Sequence, residues 1–170
     1  MNKRGISRAA AYHEAGHAVA RIYVGAPATD TVVFENGTGY SDGHRGAWRS
    51  TNPGIGGMWD FILVSMAGAY SEARATKRSI EKIRLSHGLK DYATAACLVI
   101  ILAKRSGGVT ERAIWRQIEK ERTQFLRYCW KTIEVIAVRL SRTGFVSRKE
   151  LHTLTRRYRR KLSTLKRPGP

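Results

Sequence analysis

The stretch AAYHEAGHAVA, from Ala10 to Ala20, places three titratable side chains in a segment that is otherwise small and mostly apolar. Ser7 before it and Gly25 just beyond it are typical of the two ends of a helix. Residues four apart lie on the same face of a helix. His13 and His17 can therefore direct their imidazoles to one point about 2 Å from each nitrogen. The segment predicts a metal-binding helix.

Residues 13–17 read His-Glu-x-x-His, a pattern typical of zinc peptidases. A catalytic zinc ion takes three protein ligands and keeps its fourth position for water. Glu14 lies about 100° around the helix from His13. We therefore expect Glu14 to reach the zinc-activated water rather than the metal, and to act as its general base. Zinc is the expected cofactor.

The third ligand has to come from another part of the chain. The candidates are Glu72, Asp91, His44, His87 and Asp60. Glu72 lies in a predicted helix, which is where glutamate-ligand zinc peptidases place their third ligand. Asp91 stands near the start of another predicted helix, where a carboxylate also interacts favourably with the helix dipole. Residue spacing alone leaves Glu72 and Asp91 both open.

The rest of the chain is predicted to be mainly helical, with one small β-hairpin. The β-branched stretch 29–35 precedes an Asn36-Gly37 turn signal, and a second short strand is expected near Tyr40. Residues 37–57 contain seven glycines and predict a long loop, either a lid over a substrate that carries His44, Arg45 and Trp48 or a simple connector. Helices are predicted over residues 58–75, 89–104 and 111–143, with a last helix capped by Ser147.

Composition indicates a globular protein with a strong excess of positive charge. Hydrophobic residues make up 42% of 170 residues, and 31 Lys and Arg face 13 Asp and Glu, a formal net charge of +18. Such a surface attracts nucleic acid, acidic proteins or anionic lipid headgroups. An alternative is that the charge only keeps the chain soluble. Both interpretations stay open.

The cysteines and the apolar segments of the chain predict its cellular location. Cys97 and Cys129 lie in apolar helical segments, which predicts buried thiols and no disulfide framework. The first ten residues have no apolar signal-peptide segment. The longest apolar run, residues 93–103, is about half as long as a membrane span. We therefore expect a soluble, cytoplasmic protein without a membrane span.

Four segments in order resemble the peptidase domain of the membrane-anchored AAA+ zinc proteases of the FtsH type. AAYHEAGHAVA resembles the metal helix of that family, and LVSMAGAYSEAR resembles its Gly-rich helix. HGLKDYATA resembles its third-ligand segment, in which an aspartate opens a helix. The stretch from IEKERTQF to VSRKEL resembles its long C-terminal helix, turn and final capped helix. The resemblance covers residues 9–154.

The resemblance implies a role for each residue of the expected site. His13, His17 and Asp91 would be the zinc ligands, and Glu14 the general base. Glu72 would then be a structural carboxylate that orients a ligand histidine. The implied fold is a mainly α, helical zincin-type peptidase domain over residues 1–155, with a small β-hairpin or edge sheet near the active site. Residues 156–170 would form a basic C-terminal tail.

The implied function is hydrolysis of peptide bonds in polypeptide substrates. The sequence contains no Walker A motif, so we expect an ATP-independent zinc metallo-endopeptidase, or a peptidase subunit that works with a separately encoded ATPase. The strand Thr31 to Glu35 would pair with an extended peptide or simply cover the core. The alternative function is a regulatory module that keeps the peptidase fold and binds nucleic acid or an acidic partner through its basic surface and tail. An oligomer is compatible with either function.

Overall fold

Helices dominate the part of the chain that the computed structural model describes, residues 6–41 and 54–163. This part contains six helices and three short strands. The helices are α1 (Arg8–Tyr23), α2 (Ile55–Thr76), α3 (Ile80–Arg84), α4 (Leu89–Arg105), α5 (Glu111–Thr143) and α6 (Arg148–Ser163). The strands are β1 (Thr31–Val33), β2 (Gly39–Ser41) and β3 (Phe145–Val146). The prediction of a mainly helical protein with a small β element is confirmed.

The centre of the fold is α1, in which every residue from Ala10 to Tyr23 is buried. It packs between α2 and α5. A Cβ atom added to Gly16 would lie 2.5 Å from the Ala67 carbonyl oxygen and 2.5 Å from Ser71 Oγ, closer than side-chain atoms can approach. Glycine at this position therefore allows the backbones of α1 and α2 to come close together.

Two hydrophobic clusters hold the helices together, and α5 contributes to both. One cluster surrounds α1 and includes Phe125 and Ile133 of α5. The other lies between α2, α4 and the first half of α5, around Ile62 and Ile118. Because α5 bridges both clusters, it fixes α1 and α4 relative to each other. These are the two helices that carry the predicted metal ligands.

The strands form one antiparallel sheet in the order β2-β1-β3. Val32 of the central strand β1 lies opposite Tyr40 on one side and opposite Phe145 on the other. The prediction that the strand Thr31 to Glu35 pairs with a peptide is therefore wrong, because both edges of β1 are already occupied. Within the described residues, β2 is the strand with an edge open to the cleft. The two-residue strand β3 was not expected from the sequence.

Several helix ends are where the sequence predicts them. The Thr110 side chain accepts a hydrogen bond from the Ala113 N–H, and α5 ends at Gly144 with φ of +71°. Ser147 Oγ accepts a hydrogen bond from the Glu150 N–H. Ser7 precedes α1 but makes no capping hydrogen bond with its side chain.

Other elements differ from the expectation. The connection between α2 and α4 contains α3, which is capped by Ser79. Helix α6 continues to Ser163, so the predicted tail begins as helix. Cys129 is buried as predicted, whereas the prediction that Cys97 is buried is wrong. His44, Arg45 and Trp48 of the predicted lid lie outside the described residues. Among the described helices, none is both long enough and apolar enough to cross a bilayer.

Candidate metal centre

Three predicted ligands from two helices meet at one point. His13 and His17 lie one turn apart on α1, and Asp91 lies in the first turn of α4. Asp91 Oδ2 is 3.1 Å from His13 Nε2 and 3.3 Å from His17 Nε2. The donor atoms of the three residues all lie within 4.8 Å of one another. The structure therefore brings together the three side chains that the resemblance implies as ligands.

Hydrogen bonds at the far side of each imidazole fix how the two rings face this point. His17 Nδ1 lies 2.8 Å from the Val64 carbonyl oxygen, which can only accept, so this nitrogen carries the proton. His13 Nδ1 lies 3.1 Å from Glu72 Oε2 and donates to it in the same way. Both Nε2 atoms therefore face Asp91, to which a protonated imidazole donates, and each presents a lone pair there once that proton is lost. Such contacts orient histidine ligands in metal sites.

Glu72 connects the site to a third histidine. Its Oε2 atom accepts a hydrogen bond of 2.6 Å from His87 Nε2, and its Oε1 atom lies 3.7 Å from the Arg78 guanidinium. His87 was a candidate ligand in the sequence, and the structure places it against Glu72 instead. The four-residue spacing between His87 and Asp91 does not predict the contact between His87 and Glu72, because Asp91 faces His13 instead.

A second group of potential donors shares His13 with the first. It consists of His13, Glu72 and His87, again with donor atoms within 4.8 Å. For a metal to bind there through His13 Nδ1, the hydrogen bond between that nitrogen and Glu72 would have to be lost. In the first group a metal would replace the contacts between the Nε2 atoms and Asp91, and it would leave the Nδ1 hydrogen bonds to Glu72 and Val64 intact. The chemistry of the donors therefore fits a metal at His13, His17 and Asp91, and a hydrogen-bonded network at Glu72 and His87.

The charges of these groups favour a cation between them. Burial alone would lower the pKa of His13, but hydrogen bonds with Asp91 and Glu72 outweigh it and raise the pKa to about 9. Burial would raise the pKa of Asp91, but His17 and His13 hold it well below its usual range. The pKa of Glu72 is likewise lowered, because hydrogen bonds from His13 and His87 outweigh its burial. Positive charge at this point is thus stabilised by two ionised carboxylates.

A glycine leaves open space beside the donor nitrogens. Gly68 of α2 faces the two imidazoles, and a Cβ atom added there would lie 2.4 Å from His17 Nε2 and 2.7 Å from His13 Nε2. Any larger residue would occupy the space next to the donor nitrogens. Gly68 therefore allows close approach of the histidines, while Gly16 serves the helix contact.

Glu14 lies beside the donors and against the sheet. It is 8% exposed, and a Cβ atom added to Gly39 of β2 would lie 2.6 Å from Glu14 Cγ. Burial raises the pKa of Glu14, and His17 and His13 offset only part of that rise. No hydrogen bond to the Glu14 carboxylate occurs within residues 6–41 and 54–163. A buried carboxylate with a raised pKa and no partner is suited to accept a proton.

The site opens into a cleft of about 1130 Å³. One wall is the hairpin from Glu35 to Ser41, which includes the edge strand β2, and the other walls come from α1, α2 and α4. His13, Glu14, His17 and Asp91 all line the cleft. Asp60, another ligand candidate, belongs to neither donor group. His44 lies outside the described residues.

Comparisons of this chain with protein-family models, with curated proteins and with solved structures found no match.

Proposed function

We propose that this chain is an ATP-independent zinc metallo-endopeptidase with a helical zincin-type domain related to the FtsH peptidases. The observation that carries the proposal is the convergence of His13, His17 and Asp91, from two separate helices, beside Glu14 in one cleft. An accidental pair of surface histidines would have neither a distant carboxylate at the same point nor a glycine that leaves space for an ion. The sequence motifs quoted for the resemblance support the same conclusion.

In this proposal, His13, His17 and Asp91 hold the zinc ion. Bound zinc supplies Lewis-acid chemistry, in that it polarises a carbonyl group and lowers the pKa of water. Glu72 and the Val64 carbonyl keep the two imidazoles oriented through hydrogen bonds of 3.1 and 2.8 Å. The protein thereby fixes the ligand geometry before the ion arrives, which reduces the cost of ordering on binding.

Glu14 moves the protons of the reaction. Its carboxylate accepts a proton from the attacking water and later delivers that proton to the amine of the leaving peptide. Burial serves this role, because it raises the pKa of Glu14 toward neutral pH and makes the carboxylate a stronger base. The contact between Glu14 and Gly39 keeps the carboxylate next to the strand where a substrate would lie.

The open edge of β2 selects an extended polypeptide as the substrate. Gly39, Tyr40 and Ser41 line the cleft. Alternate residues of an edge strand direct their N–H and C=O groups away from the neighbouring strand, so β2 can pair with a peptide by β-addition. Such pairing makes few demands on side chains, and it requires an unfolded segment. The expected substrate is therefore an unstructured stretch of protein, cleaved internally and without ATP.

The test compares two variants of the purified, zinc-loaded chain. Glu14→Gln removes the base without changing side-chain size, whereas Glu134→Gln makes the same change on α5, away from the cleft. We expect Glu14→Gln to bind zinc as wild type does, in elemental analysis, and to lose at least 100-fold in cleavage of an unfolded protein. Glu134→Gln should cleave normally. Cleavage by Glu14→Gln at the wild-type rate would refute the mechanism, and zinc binding without any cleavage by wild type would favour the regulatory module.

A further inference from the structure

The outer face of α5 carries a row of basic side chains. All five are exposed: Arg112, Arg116, Lys120, Arg127 and Lys131. At about 100° per residue they fall within a sector of about 100° around the helix. The buried residues of α5, such as Ile118 and Phe125, lie on the opposite side. We call this row the α5 basic surface.

The charges of the α5 basic surface are not neutralised within the described part of the chain. None of its five residues forms an ion pair there, whereas Arg122 and Arg139 of the same helix pair with glutamates. The two acidic residues between Arg112 and Lys131 are engaged elsewhere. Glu119 pairs with Arg84 and Arg122, and the buried Glu121 accepts a hydrogen bond from Trp59. The row therefore presents an excess of positive charge, with the half-buried Glu134 just beyond Lys131 in the same sector of the helix.

A groove next to the row extends the positive region toward α2. It has a volume of about 530 Å³, and three arginines line it: Arg74, Arg122 and Arg127. None of the described residues that line it is acidic, although Glu119 pairs with Arg122 from outside the groove. Arg74 is held in place, because its guanidinium stacks 4.2 Å from the centre of the Trp130 ring and donates to the Leu126 carbonyl. The groove can thus accept an anionic group alongside the row.

We propose that the α5 basic surface binds the phosphate backbone of double-stranded nucleic acid without reading its sequence. Arg112 and Lys131 are 19 positions apart on α5, which is about 28 Å at 1.5 Å per residue. A duplex presents about one phosphate per 1.7 Å of its axis, so a long row of cations has regularly spaced partners. Charge complementarity along a line, rather than in one pocket, is the feature that a polyanion satisfies.

Other features of α5 disfavour different partners. Single-stranded nucleic acid binds by stacking its bases on aromatic side chains. The two aromatic rings beside the row already carry a guanidinium, Arg127 over Tyr128 at 5.8 Å and Arg74 over Trp130 at 4.2 Å. Membrane-surface helices insert an apolar face, but the apolar face of α5 is already buried in the core. The cleft is lined by α1, the hairpin, α2, α4 and the α2–α4 connection. A duplex on α5 therefore leaves the cleft accessible.

The test compares two variants with the same net charge. The surface variant is R112Q/R116Q/K120Q/R127Q/K131Q, and the control variant is K77Q/K82Q/K104Q/R148Q/K149Q, which changes five other exposed residues. Binding to a labelled, mixed-sequence 30-bp DNA duplex is measured by fluorescence anisotropy between 50 and 200 mM NaCl. Five phosphate contacts correspond to a slope of about −4.5 in log affinity against log salt. The ratio of wild-type to surface-variant affinity should therefore shrink about 500-fold over this range, while the control variant follows wild type.

Single substitutions and a second probe complete the test. Arg116→Gln and Lys120→Gln should each reduce the slope by about 0.9. Each variant changes one exposed side chain, so the reduced slope does not arise from loss of the fold. Equal slopes for the surface and control variants would overturn the proposal. It would equally be overturned if the surface variant lost binding to phosphatidylserine vesicles but kept its affinity for the duplex. Glu14→Gln should bind the duplex as wild type does, so this result is independent of the peptidase proposal.

Discussion

Replacing Gly68 with alanine should weaken zinc binding strongly while changing the stability of the metal-free fold much less. The added Cβ atom would lie 2.4 Å from His17 Nε2 and 2.7 Å from His13 Nε2. Ordinary contacts between non-bonded heavy atoms begin near 3.5 Å, so each ring would have to retreat by about 1 Å. The rings are restrained on their far sides, because His17 donates to Val64 and His13 donates to Glu72.

A retreat of this size is incompatible with coordination by either histidine. Zinc–nitrogen distances are about 2.0–2.1 Å, and a donor displaced by about 1 Å contributes little. We expect zinc affinity to fall at least 100-fold, which is about 2.7 kcal/mol. The metal-free fold should change much less. Alanine improves helix propensity by up to about 1 kcal/mol, against about 1–3 kcal/mol for overpacking, so the net loss is about 2 kcal/mol or less.

The two effects can be measured on the same samples. Zinc affinity is measured by competition with a chromophoric chelator, and the free energy of unfolding by guanidinium titration with and without zinc. At a zinc concentration 1,000 times the wild-type Kd, zinc should stabilise wild type by about 4.1 kcal/mol and Gly68→Ala by about 1.4 kcal/mol or less. Gly56→Ala, in the same helix, is the matched control, because its added Cβ meets no atom of residues 6–41 or 54–163 within 4 Å. Wild-type zinc affinity in Gly68→Ala would show that no metal binds between these histidines.

Gly16→Ala should destabilise the metal-free fold by about 2 kcal/mol or more, because the clash is with the Ala67 backbone rather than a side-chain end; a guanidinium titration that shows no shift would contradict this packing. Asp91→Ala should abolish zinc binding measured by elemental analysis, whereas Glu72→Ala should only weaken it about 10–100-fold, and the reverse order would make Glu72 the ligand. The pKa of His13 is raised to about 9 in the metal-free fold, so its interactions stabilise that fold fully below pH 6.5 and are lost as the pH rises through 9. Over the same interval zinc affinity should increase, because fewer protons compete for the imidazole, and an affinity that stays constant from pH 6.5 to 9 would argue against His13 as a ligand.

Local features of the site were predictable from the sequence, because they depend on neighbouring residues. The spacing of His13 and His17 fixes their common helix face, whatever the rest of the chain does. The same is true of the Thr110 cap and the Gly144 stop, which are read from a few adjacent residues. The convergence of Asp91 with these histidines was different, since 74 residues separate it from His17. Only the resemblance, and not the spacing, favoured Asp91 over Glu72.

The elements that were missed are short or depend on distant partners. A two-residue strand such as β3 has no alternation to detect, and it exists because Val32 and Phe145 pair across the sheet. That pairing also turned β1 into a central strand and moved the open edge to β2. Helix α3 has five residues within a polar connection, too few for a periodic pattern. The role of Gly68 required knowing which helix faces the histidines.

The position of β3 has a consequence for how the protein can be shortened. β3 begins two residues after α5 ends, and the Val33 N–H donates to the Gly144 carbonyl at this junction. Asp30, just before β1, accepts a hydrogen bond of 2.6 Å from the backbone N–H of Arg148. A chain cut after Thr143 would keep every donor of the candidate metal centre, but the hairpin wall of the cleft would lose the hydrogen bonds from β3 and Arg148 that support it. Such a fragment should therefore still bind zinc but lose the cleavage of peptides.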